Sequence, residues 1–270
     1  MAGVFKPPAG CTKDDIRDAI IRMRSPAAST QRPSERELRA EEYRALVNGS
    51  TDKEFADQFL CEQVDISAVE LPELIAQVSR VGRLREVRAL TGLTRILPSS
   101  AENAGNVATL VERGAPEWLP AIEVLCEGIL VRLREDLLQE WAASRFAIGR
   151  ELLMARGAEV SQATGVPVDT THMSPRSVAL HSLAHVMIEE LSLTGGYPAA
   201  SLRERIYDDD GQAGILVYTA TADSAGSLGG LAAQSDPRRF ARMLASGIRR
   251  ARWCTADPVC IESVSSCVGG

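Results

Sequence analysis

No apolar run in the chain approaches the ~20 residues that a membrane span needs, and the first residues lack the apolar core of a signal peptide. Both absences point to a cytoplasmic protein outside the membrane. Aromatic residues make up only 4% of the sequence, which leaves little for bases to stack on and argues against a single-strand platform. The six cysteines are scattered, as reduced thiols are, rather than spaced as a disulfide framework, and Cys11, Cys61 and Cys126 read as buried thiols. No lysine follows Gly229-Gly230, so the glycine-rich stretch there is not a Walker A loop. No nucleophile, triad or internal repeat stands out, and the chain reads as a non-enzyme.

What is present is an ordinary globular composition, 45% apolar and 24% charged, in 270 residues with a net charge of -6. That length is enough for one large or two modest domains. Residues 1–50 read as a helical arm: a loose start around Pro7-Pro8, a helix from Thr12 through Met23, a linker from Ser25 to Pro33, and a charged helix from Ser34 through Val47. Residues 51–157 read as an α+β segment. Short helices are expected near Asp52–Phe59 and Leu71–Val81, a strand within Leu84–Leu97, and a loop from Ser99 to Gly114. Leu119–Leu133 is expected as two strands joined by a turn at Glu127-Gly128, followed by a helix from Glu135 to about Arg156. Gly157–Thr171 reads as a linker.

The densest signals lie in residues 174–270. Ser174-Pro175 starts a helix and Gly195-Gly196 ends it, with Leu180, Leu183, Ala184, Met187, Ile188 and Leu191 on one face. His181 and His185 sit one turn apart at the margin of that face. Two uses are open for them: hydrogen bonding at the edge of a core, or metal ligation with a third group such as His172 or Asp223. Ser182, Leu183 and Ala184 fill the H-x-x-x-H interior, so the general base of an H-E-x-x-H protease helix is missing. Ser201–Arg205 reads as a short exposed segment, and Asp208-Asp209-Asp210-Gly211 as a solvated turn. Gly214–Ala220 fits a strand buried on both faces. The small and hydroxylic residues after it, including Asp223, Ser224, Ser227, Gly229 and Gly230, form either a tight turn or a loop whose amides approach an anion.

Asp236 and Pro237 open a second helix with Phe240, Met243, Leu244, Gly247, Ile248 and Ala251 as its apolar stripe. Six arginines and no acid lie between Pro237 and Trp253. Arg238, Arg242, Arg249 and Arg250 are candidates for nucleic-acid phosphate, because a guanidinium donates two parallel hydrogen bonds; the alternative is a solvated face paired with acids elsewhere. Arg80, Arg83, Arg85, Arg88 and Arg95 form a second basic cluster, and the two together make a footprint only if the fold brings them to one face.

The segments His181–Met187, Tyr197–Tyr207, Gly214–Ala220, Gly226–Leu231 and Arg252–Cys260, in that order, resemble the MrfA-like zinc-binding domain family. Trp118–Val124 with Glu127-Gly128-Ile129 is similar to the segment upstream of that domain in its DrmB-like branch. The family occurs at the end of some DNA-repair helicases and in the helicase-partner subunit of the DISARM anti-phage system. The resemblance implies an α+β fold with a mixed sheet, packed helices and zinc on four cysteines. Cys254 and Cys260 match the first cysteine pair, forming half a zinc knuckle; the second pair is absent, so the domain at 174–270 reads as C-terminally incomplete. The resemblance also implies a non-catalytic partner for a helicase that contributes to DNA binding in anti-phage defence. Two alternatives are a metal-dependent hydrolase built on the His181/His185 helix and the accessory domain of a DNA-repair helicase.

Overall fold

The structure is a computed structural model that describes residues 35–52, 54, 56–90, 92–93, 108–109, 119–144, 174–219 and 230–252, with Gly149, Glu151, Ala155, Glu159, Gln162 and Ala163. The chain divides into a unit of Met1–Glu42 and a unit of Tyr43–Gly270. In the first, the described residues are the opening turns of helix α1 (Glu35–Asn48).

The second unit is built on a five-stranded sheet in the order β1-β2-β5-β7-β6, antiparallel at every pairing. Its strands are β1 (Phe59–Val64), β2 (Ile75–Ala89), β5 (Ala121–Leu133), β6 (Leu202–Tyr207) and β7 (Gly214–Thr219). A separate two-stranded ribbon pairs β3 (Gly92–Leu93) with β4 (Ala108–Thr109). Strands from both the 51–157 and the 174–270 stretches therefore share one sheet, and the fold is α+β.

Side chains alternate between the two faces of a strand, and here both faces are buried. Ile129, Val131 and Leu133 of β5, with Ile215 and Val217 of β7, pack against helices α3 (Pro175–Gly195) and α4 (Pro237–Ala251) through Leu180, Met187, Leu191, Phe240 and Leu244. The intervening residues Val124, Cys126, Leu130, Leu216 and Tyr218 pack on the other face with Tyr43 and Leu46. Helix α2 (Glu135–Ala142) follows β5 and is tied to α3 by Arg176, whose guanidinium grips the Glu135 carboxylate with both of its terminal nitrogens. Cys61 and Cys126 are free thiols within this core. Burial pushes Cys61 up to about 12 and Cys126 to about 11, so both stay protonated and unreactive at neutral pH.

Helix α3 forms as its sequence dictates: the Ser174 hydroxyl accepts the Ser177 amide at 3.1 Å, and Gly196 closes the helix at a φ of 72°. Asp236 caps α4 by accepting the Arg239 amide at 3.1 Å. The acidic run does make a turn, in which the Gln212 amide donates to the Asp209 carbonyl at 2.8 Å, and Asp208 accepts a hydrogen bond from the Ser177 hydroxyl.

Elsewhere the structure corrects the expectations. Leu71–Val81 is not helical: Ile75–Val81 is the first half of β2, where an irregularity between Ile75 and Gln77 puts Ile75 and Val78 in one core and Val81 lies in the other, so the three mimic a helical stripe. Leu119–Leu133 is not a hairpin, since β5 runs unbroken through Glu127 and Gly128. Described residues between Asp52 and Gln58 form turns rather than a helix; the helix begun at Glu135 stops at Ala142, with Trp141 38% exposed, while Gly149, Glu151 and Ala155 are again helical, as are Glu159, Gln162 and Ala163 within the expected linker. The exposed segment expected at 201–205 is mostly strand β6. In α4, Ile248 and Ala251 are exposed although their spacing puts them on the apolar stripe. Among the described residues no helix is long and apolar enough to cross a membrane.

Candidate functional site

Two constellations on the helical side of the sheet carry chemistry. The first is at the edge strand. In β6, Leu202 and Ile206 turn toward the helices, and Glu204 between them must do the same by the two-residue period. Glu204 meets the histidine face of α3 there. Its Oε1 lies 2.6 Å from His181 Nδ1 and 3.7 Å from His185 Nε2, and the two imidazole rings stand edge to face with centroids 4.5 Å apart. One ligand atom from each of the three residues falls within 4.8 Å of the other two. The second Glu204 oxygen is buried and has no hydrogen-bond partner among the described residues. The two histidines are legible in the sequence and the carboxylate is not, because Ser201–Arg205 reads as a short exposed segment rather than a strand. The signal was the pair Leu202 and Ile206 flanking Glu204 at two-residue spacing. The third groups expected from sequence, His172 and Asp223, lie outside the described residues.

The second constellation begins with a buried carboxylate in the middle of the sheet. Glu127 is 1% exposed, and its two oxygens accept the amides of Leu231 at 3.0 Å and Ala232 at 3.1 Å. These amides open a 3-10 turn, Ala232–Ser235, which leads directly into α4. The Ser235 hydroxyl donates to the Ala232 carbonyl at 2.6 Å and accepts from Arg80 Nε at 3.3 Å. A bulge in β2 places Gly82 and Arg83 opposite Glu127, where the register with β5 slips between Val81 and Leu84. The outcome is a depression of about 540 Å³ lined by Arg80, Gly82, Ala232, Ala233, Asp236 and Arg239. One arginine from each sequence cluster thus reaches the same place. Asp236 already accepts the Arg239 amide at the start of α4, so an anion there would be met chiefly by guanidinium groups.

The remaining arginines divide. Arg85 is paired with Glu123 at 2.8 Å, which lowers the Glu123 carboxyl below its ordinary range, and Arg88 with Glu86 at 2.6 Å. Arg250 is paired at 3.2 Å with Glu190, a carboxylate only 2% exposed, so its charge is balanced by a buried partner. Arg238, Arg242 and Arg249 are exposed, carry no ion pair among the described residues and fall within about 40° of one another at 100° per residue. Arg95 lies outside the described residues. So do Cys254 and Cys260, and the loop residues Asp223, Ser224, Ser227 and Gly229; Gly230 is described, as a half-buried turn residue.

Residues 183–269 match the MrfA Zn-binding domain family, so the match runs past Cys260. Over 259 residues, 91% of its length, the chain is 28% identical to DISARM protein DrmB of Bacillus paralicheniformis. It spans 45% of that curated relative.

Proposed function

We propose that the chain is a non-catalytic subunit of a DrmB-like anti-phage defence assembly, which contacts DNA phosphates beside a helicase partner. Zinc would serve as a structural ion, with Cys254 and Cys260 supplying two of its thiolate ligands. The similarity to DrmB across nearly the whole chain supports the defence setting. The observation that carries the DNA contact is the convergence of Arg80 and Arg239, from the two separate arginine clusters, on one depression. Arg238, Arg242 and Arg249 add exposed positive charge on the same helix as Arg239. The H-x-x-x-H interior of α3 supplies no general base, which supports a binding role over hydrolysis.

Binding to a labelled DNA duplex, followed by anisotropy over a range of salt, tests this. Each phosphate neutralised contributes about 0.9 to the slope of log K against log salt on duplex DNA. Arg80→Ala and Arg239→Ala should each flatten the slope by about one such unit, weaken binding alike on all sequences and leave folding intact. Arg85→Ala, which removes an arginine already paired with Glu123, should change the slope little. Equal slopes for all three variants, or no binding with and without a helicase partner, would remove the DNA contact.

A further inference from the structure

The edge-strand constellation goes beyond the DNA-contact proposal and uses none of its residues. We propose that His181, His185 and Glu204 bind a divalent transition metal of the zinc class, joining helix α3 to edge strand β6 at a site whose ligands do not include the cysteines.

Three observations carry this. The donor set is two imidazoles and one carboxylate, which suits zinc and its neighbours better than calcium or magnesium, whose ligands are oxygens. The two histidines are one helical turn apart, and their facing nitrogens, with a Glu204 oxygen, lie within 4.8 Å of one another, so small side-chain rotations bring all three onto one ion. Glu204 also holds a buried oxygen without a hydrogen-bond partner among the described residues. Burying a carboxylate without a matching charge or donor is costly, and a cation at this point relieves that cost more fully than a single imidazole contact does. The histidine side chains are 57% and 62% exposed, so the ion is reached from solvent and keeps positions for water. The fold supplies the rigidity: Ala184 and Met187 seat α3 in the core, and Glu204 is held in register opposite Val217.

The test is metal binding by the full chain stripped with chelator and titrated with Co²⁺ as a spectroscopic stand-in for Zn²⁺. The same titration is run on His185→Ala, on Glu204→Gln and on the double variant Cys254→Ala/Cys260→Ala, with circular dichroism as the folding control. Loss of outer-shell partners of a metal ligand costs about 10–100-fold in affinity, so loss of a direct ligand should cost more than about 100-fold. One equivalent of Co²⁺ should bind to the double cysteine variant with no thiolate charge-transfer band. His185→Ala and Glu204→Gln should lose that equivalent while keeping their fold. Equal affinity in the histidine and glutamate variants, binding that vanishes with the cysteines alone, or no binding by the intact chain would overturn the proposal. Because no DNA is present, failure here is separate from failure of the DNA contact.

Discussion

Replacing Gly128 with valine should abolish the cooperative unfolding transition of this protein. Gly128 sits in β5 opposite Tyr218 of β7, and a Cβ at that position would meet the Val217 carbonyl oxygen at 2.5 Å and the Tyr218 Cβ at 3.0 Å. What blocks the way is largely the backbone of the neighbouring central strand, which cannot give without opening the β5–β7 ladder. Overpacking a core costs roughly 1–3 kcal/mol when side chains can adjust. With backbone in the way, Gly128→Ala should lie at or above the top of that range, and the two further methyls of valine should exceed the total stability of about 5–15 kcal/mol expected of a domain or leave little of it. Gly82→Ala is the control, because its added Cβ would meet Leu60 Cδ2 at 3.2 Å, the mobile tip of a side chain. Urea denaturation should place Gly82→Ala within about 1 kcal/mol of the parent. Similar losses at both glycines would mean that β5 and β7 are not packed as described.

Glu127→Ala should be the next most damaging change and should reach both stability and DNA contact. It removes the acceptor for two amides, of Leu231 and Ala232, that lie in the core at 0% and 3% exposure. Hydrogen bonds to a charged group are worth about 1.5–3 kcal/mol each, so the loss of two should be about 3–6 kcal/mol. Glu127→Gln keeps one acceptor oxygen and should fall between. The 3-10 turn held by Glu127 presents Ser235 to Arg80 and sets the start of α4, so the variant should also flatten the salt slope of DNA binding under conditions where it is still folded. Glu127 is a positioning residue in this respect. A midpoint shift worth less than about 1 kcal/mol would show that the turn is held by something else.

The helices α3 and α4 were legible because their signals are local. A capping side chain, a proline in the first turn and a glycine at the end act within a few residues, and the apolar stripe repeats inside one element. β7 was legible for the same reason, as a short β-branched run between turns. β2 and β5 were not. Glu127-Gly128 has the composition of a turn, and only the presence of β7 on one side and the 3-10 turn above shows why a carboxylate and a missing side chain are needed inside a strand. The same limit hid Glu204, whose partners lie on a different element.

By itself the sequence determined where α3 begins and ends and where α4 begins, that β7 is buried on both faces, that arginines form two clusters and that two histidines share a helix face. Tertiary structure alone decided which of the described arginines lack an ion pair, that Arg80 and Arg239 line one depression, and that a carboxylate from the edge strand completes the histidine pair. The physical reason is range: caps and periodicity are set by neighbours in the chain, whereas charge pairing and ligand sets depend on distances between segments that only the closed sheet brings together.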